Sequence, residues 1–128
     1  MARIQSSGRS EEGQALALTA AEFHVLIALL DGQLHGYGIM QRILDHSDGK
    51  LRIGPGTLYR TIQRLLDGQM IEESHSRPRP ERDDPRRRYY SLTARGRSVL
   101  DEEAARMQKF VRLARNKRMR LASTGPET

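Results

Sequence analysis

The sequence predicts a mainly α-helical domain with one small β-hairpin, ending in a long helix. Three observations carry this expectation. Capped apolar stripes spaced by three and four residues recur three times before residue 68. Two short β-prone runs then flank a loop rich in arginine and proline. Last, an apolar seam with the same helical spacing runs from Leu100 to Leu121.

Length and composition set the bounds. A chain of 128 residues has room for one domain and a modest core. Hydrophobic residues make up 37% and aromatics 5%, a lean supply that points to stability shared with a partner chain. The formal net charge of +6 favours a polyanionic partner, nucleic acid or an anionic membrane surface. The absence of cysteine excludes disulfides, thiolate nucleophiles and cysteine-ligated zinc, and it agrees with a reducing cytoplasm. No stretch has the length of a signal-peptide core or a membrane span, so a soluble, cytoplasmic protein is expected.

Residues 1–16 are polar and rich in glycine and serine, and read as a flexible arm. Thr19-Ala-Ala-Glu22 fits a capping box. The helix it opens carries Phe23, Leu26, Ile27 and Leu30 on one stripe, widened by Val25 and Leu29, and Asp31-Gly32 ends it. So apolar a helix is expected to pack on two neighbours. Residues 33–38, QLHGYG, read as a glycine-punctuated turn, and a second helix follows near 36–46 with Ile39, Met40, Ile43 and Leu44 inward. Leu51-Arg-Ile53 alternates and is expected to form a small strand. A third helix starts at Gly54-Pro55, where proline loses no intrahelical hydrogen bond, and Gly68 stops it. Its apolar face is Leu58, Ile62, Leu65 and Leu66.

After Gly68, QMIEESHS reads as a strand, 77–88 as a basic loop with three prolines, and RRYYSL as the returning strand. Thr93 caps the last helix, expected over 94–121, with 122–128 a disordered tail. Helix, helix, short strand, helix, strand, basic loop, strand, long helix is the order of a winged helix-turn-helix domain, here residues 17–93, followed by a dimerisation helix.

Three motifs resemble the PadR family of bacterial transcriptional regulators: HGYGI at 35–39, GPGTLYRTIQRL at 54–65, and RRYYSLTARGRSVL at 87–100. The last carries the family's Tyr-x-Leu-Thr-x-x-Gly pattern as Tyr90, Leu92, Thr93 and Gly96. The resemblance covers roughly residues 18–115. It implies a homodimer built through the C-terminal helices, a third helix in the major groove of double-stranded DNA, and a wing on the backbone or in the minor groove. A single C-terminal helix corresponds to the short form of the family. Some members bind small aromatic or amphipathic effectors between the dimer helices, so a small-molecule effector is an expected partner here too. Two departures stand out: Gly54 where the family often has serine, and an unusually arginine-rich wing.

The residues give this implication a chemistry. At the third helix's start, Gly56 lets the backbone approach a phosphate, and Thr57 and Tyr59 offer hydroxyls. Arg60 or Arg64 suits the acceptor edge of guanine, and Gln63 suits adenine. In the wing, Arg77, Arg79, Arg86 and Arg87 are candidate phosphate ligands. Strand alternation places Tyr90 and Leu92 inward and Arg87 and Tyr89 on the other face, which favours Arg86 and Arg87 over Arg88. Dimerisation candidates are Phe23, Leu100, Ala104, Met107, Phe110, Val111 and Ala114. A dimer would set two recognition helices about 34–36 Å apart on a pseudo-palindromic operator. The cations of 115–120 favour the helix dipole at its C-terminus.

The four histidines lack metal-ligand spacing, so capping or surface roles are expected and no metal site. No nucleophile triad, P-loop or dinucleotide fingerprint is present, and neither catalysis nor a cofactor is expected. The sequence is read as a DNA-binding repressor. A winged-helix protein-interaction adaptor and a nonspecific architectural nucleic-acid binder also fit its charge.

Overall fold

The structure, a computed structural model, describes residues 18–75, 84 and 86–124. Thr19 and Glu22 close the reciprocal cap: the Thr19 hydroxyl accepts the Glu22 N–H at 3.1 Å, and Glu22 Oε1 accepts the Thr19 N–H at 2.9 Å. Helix α1 then runs Ala20–Ala28. It ends sooner than Asp31 because Leu30 N–H bonds back only three residues, to the Ile27 carbonyl, so the last turn tightens. The stripe also sits differently from the sequence expectation. Val25, Leu26, Ala28 and Leu29 are buried, Phe23 and Ile27 are half-buried, and Leu30 is exposed. The cause is tertiary, since α1 is wedged among three other helices rather than resting on one surface.

Strand β1 (Leu34–His35) and helix α2 (Gly36–His46) follow without a break. His35 caps α2, its Nδ1 accepting the Gly38 N–H at 3.1 Å. Ile39 and Ile43 anchor the helix in the core. The small third strand is therefore Leu34–His35, in a segment read from sequence as a turn, while residues 51–53 form no strand. Two residues carry no detectable period; β1 exists because β3 offers it a partner. Ile53 is buried nonetheless, which accounts for the alternation that suggested a strand.

Helix α3 (Pro55–Asp67) matches its expected limits. Leu58, Ile62 and Leu65 bury completely or nearly so, each contributing about 2 kcal/mol. That anchoring outweighs any single hydrogen bond on the opposite face. The left-handed residue that ends the helix is Gln69 (φ 60°) rather than Gly68, and the Met70 N–H reaches back to the Leu65 carbonyl at 2.9 Å.

Strands β2 (Ile71–Ser74) and β3 (Tyr89–Leu92) complete an antiparallel sheet of order β1-β3-β2. Register pairs Ile71 with Leu92, Ser74 with Tyr89, and Leu34 with Tyr90. Tyr89 and Tyr90 are both buried, so strict alternation fails at Tyr89. The added strand brings the His35 ring edge-on to Tyr89, 5.2 Å between centroids, and pairs the β3 edge that a two-stranded hairpin would leave open.

Helix α4 runs Ala94–Thr124, three residues beyond its expected end. Its start is locked to the end of α3. The Thr93 hydroxyl donates to the Gln69 carbonyl at 2.7 Å, the Thr93 N–H donates to Met70 O at 3.1 Å, and the Gly96 N–H donates to the Thr93 hydroxyl at 3.0 Å. Gly96 lies so close to Met70 that a β-carbon there would fall 2.8 Å from the Met70 carbonyl carbon and closer still to its oxygen. Among the described residues, no helix is long and apolar enough to cross a membrane.

Candidate nucleic-acid interface

Burial divides α3 into two faces. With Leu58, Thr61, Ile62 and Leu65 inward, Gly56, Thr57, Tyr59, Arg60 and Gln63 lie exposed on the other side. The inward threonine satisfies itself, Thr61 Oγ1 donating to the Thr57 carbonyl at 2.7 Å. At the helix start Gly54 provides no side-chain cap. The first-turn N–H groups therefore keep their partial positive charge for an external anion. Among the described residues, a β-carbon at Gly56 would meet the Arg60 guanidinium at 3.6 Å, an ordinary contact with a flexible side chain.

The exposed side chains are not equally available. Tyr59 is 63% exposed and points out rather than packing under the wing. Arg60 lies along the helix surface, donating to the Thr57 hydroxyl at 3.3 Å, and Gln63 donates to Asp67 at 3.1 Å. Both are weak, exposed contacts that a better acceptor displaces. Arg64 differs: its Nε donates at 3.1 Å to Oε2 of Glu22, the carboxylate that also completes the α1 cap. That contact pairs α3 with α1, so the Arg64 guanidinium has a carboxylate partner while remaining half-exposed.

Facing α3 is the wing. An open cleft of about 670 Å³ separates them, with Tyr59, Ile62 and Gln63 on one wall and Arg86, Arg87, Arg88 and Tyr90 on the other. Tyr37, exposed at the start of α2, lines one end of the cleft beside His35. Asp84 holds Arg86 through three hydrogen bonds. The Arg87 guanidinium lies 3.3 Å from the His35 Nε2. Arg88, set aside by the alternation argument, is exposed and forms no ion pair with a described residue. The pairing of Arg86 and the seating of Arg87 depend on Asp84 and His35, which strand periodicity does not include. Burial pushes the Tyr90 phenol above its ordinary pKa, with the Glu73 carboxylate adding to the effect. Arg77 and Arg79 lie outside the described residues.

Residues 25–102 match the model of the transcriptional regulator PadR-like family. The chain belongs to this family. It is 32% identical over 94 residues to transcriptional regulator Rv3488 of Mycobacterium tuberculosis, covering 73% of this chain and 80% of that protein. It is also 39% identical over 90 residues, 70% of this chain, to an uncharacterised 37.1 kDa protein of a Streptomyces fradiae transposon, of whose length it spans 24%. Among solved structures, a PadR family transcription regulator of Clostridium difficile superposes with TM-score 0.61 at 22% identity, over 79% of this chain and 99% of that one. Bacillus subtilis PadR in complex with operator DNA superposes with TM-score 0.55 at 18% identity, over 67% of this chain and 47% of that one. At these identities the superpositions establish the shared winged-helix fold.

In this PadR-like chain the Tyr-x-Leu-Thr-x-x-Gly motif proves to be a joint. Thr93 and Gly96 clamp the wing's last strand and the start of α4 onto the end of α3, which fixes the wing relative to α3. The dimerisation candidates divide. Leu100 is 4% exposed and belongs to the protomer core, and Phe23 packs half-buried against that core. Helical spacing identifies a stripe but not its cover, and the first turns of α4 are covered by α1 and β3. From Ala104 onward the seam is open: Met107, Phe110 (57% exposed), Val111 and Ala114 all face solvent. The sequence reading gives His35, Tyr37 and Asp84 no site role and ranks Arg88 below Arg86 and Arg87. His35 and Tyr37 lie in the HGYGI motif, and Asp84 carries a local signal in Asp-Pro, a turn-starting pair.

Proposed function

We propose that this PadR-like regulator binds a pseudo-palindromic operator as a homodimer and represses by occluding a promoter. The observation that carries the reading is the division of α3. Its anchoring face is buried, and its free face presents an uncapped N-terminus, Thr57, Tyr59, Arg60 and Gln63 beside a cleft walled by arginines. A related protein of the same fold has been seen with operator DNA, which supports the same use of this surface. In this reading Arg60 and Gln63 exchange their weak intrahelical contacts for base edges, and the first-turn N–H groups with Thr57 and Tyr59 hold phosphate. The wing arginines that reach the backbone neutralise further phosphates, each of those contributing about one unit of salt slope.

The seam from Met107 to Leu121 supports the dimer. A helix that leaves Met107, Phe110, Val111, Leu113, Met119 and Leu121 in water exposes more apolar surface than a lone chain keeps uncovered. An effector released or bound between the two seams would act by changing the spacing of the recognition helices. Selection of genomic fragments by the purified protein at near-physiological salt tests the reading. Recovery of one two-fold symmetric site is expected, and Arg60→Ala should flatten discrimination among variants of that site. Equal retention of all fragments would leave an architectural binder, and retention of none would refute DNA binding.

A further inference from the structure

Among the described residues, the Asp84 carboxylate holds Arg86, the first of three consecutive wing arginines, in a fork. Asp84 Oδ1 accepts both the Arg86 backbone N–H at 2.9 Å and its Nε at 3.2 Å, and Oδ2 accepts Nη2 at 3.1 Å. The Asp84 carbonyl also accepts the Arg87 N–H at 3.0 Å, so one residue both closes the turn into β3 and occupies a guanidinium. The pairing holds the Asp84 carboxyl below its usual range and raises Arg86. The guanidinium edge in use, Nε with Nη2, is the edge that grips a phosphate bidentately.

We infer that Asp84 is an internal competitor for DNA phosphate, setting how strongly the wing grips the backbone. This rests on the DNA-binding reading of the cleft. An incoming phosphate must either displace the carboxylate from Arg86 or share the site with it, bringing two negative charges together. In the native wing Arg86 therefore adds little to binding, and the uncommitted Arg88 adds more. Since the Arg86 side chain is 89% exposed, the fork exchanges with solvent, and it tunes the wing rather than shutting it.

Asp84→Asn separates the two roles of the residue, because the amide oxygen still accepts the Arg86 backbone N–H while the charge is gone. The probe is a labelled mixed-sequence duplex of about three helical turns, since the phosphate term is independent of sequence. D84N is expected to bind it about fivefold more tightly near 0.15 M salt, with the salt slope steeper by about one. R86A is expected to change binding by less than about twofold in the native background and by about fivefold in D84N. Equal gains from D84N with or without Arg86 would make the effect one of general charge and overturn the inference. So would R86A weakening native binding about fivefold, or D84N weakening it with an unchanged melting temperature. The DNA-binding reading fails separately, if neither the native chain nor D84N retains the duplex at low salt.

Discussion

Gly96→Ala is a substitution that helix propensity alone favours and the structure forbids. Gly96 lies in the first turn of α4, and alanine in a helix gains about 1 kcal/mol over glycine. Against this, the added methyl would sit 2.8 Å from the Met70 carbonyl carbon, about 0.7 Å or more inside a comfortable carbon–carbon contact. The opposing atoms are backbone, so no side chain can rotate away. Overpacking of this kind costs about 1–3 kcal/mol. Moving the Met70 carbonyl also strains the Thr93 N–H bond to it and the neighbouring Thr93 hydroxyl bond to Gln69, each contributing about 1 kcal/mol. The net expectation is a loss of about 3 kcal/mol, or roughly 15 °C in melting temperature. Urea and thermal unfolding followed by circular dichroism give both numbers. Ala105→Gly, on an exposed turn of the same helix, calibrates the propensity term at about 1 kcal/mol. A Gly96→Ala protein as stable as its parent would refute the close-approach argument, and with it the claim that the motif is a joint.

Gln69→Gly should stabilise the domain by about 1 kcal/mol, since the residue sits at φ 60° where glycine has no steric penalty; an unchanged urea midpoint would argue against that strain. Tyr90 provides a pH test. Its phenol titrates above the ordinary 10.0 in the folded chain, so above that pH the folded state holds a proton the unfolded state has lost, and stability falls as pH rises. Tyr90→Phe should flatten the alkaline fall in melting temperature, and an unaltered slope would assign the fall to other groups. Arg64→Ala should cost only about 0.5 kcal/mol, given the half-exposed guanidinium, and leave the salt slope of DNA binding unchanged. A slope shallower by about one would return Arg64 to the DNA surface. In the proposed homodimer, Phe110→Glu should raise the dissociation constant more than about 100-fold, read by sedimentation, because two rings covered at that seam would be replaced by two charges. Retention of the native dimer mass would place the interface elsewhere.

The features legible in the sequence are those written in local chemistry. The Thr19–Glu22 box, the Gly54-Pro55 start and the three-and-four spacing of Leu58, Ile62 and Leu65 depend on residues within a turn or two of one another. They located the helices and the free face of α3, with α2 and α3 at their observed limits. The exposure of Thr57, Tyr59, Arg60 and Gln63 follows from the same periodicity.

Pairings between distant residues belong to the tertiary structure. Strand β1 depends on Tyr89 and Tyr90, and their burial depends on it in turn. Arg64 meets Glu22 across 42 positions, a pairing between helices that no local pattern records. Leu100 fits the same spacing as Met107 and Val111, yet α1 covers the first and leaves the others open. Periodicity records which face of an element is apolar, because that is a property of one helix or strand. What covers that face, and which charged partner a side chain finds, is set only when separate elements meet. At the candidate interface the sequence determined which residues are presented, and the fold decided which partners they meet within the chain.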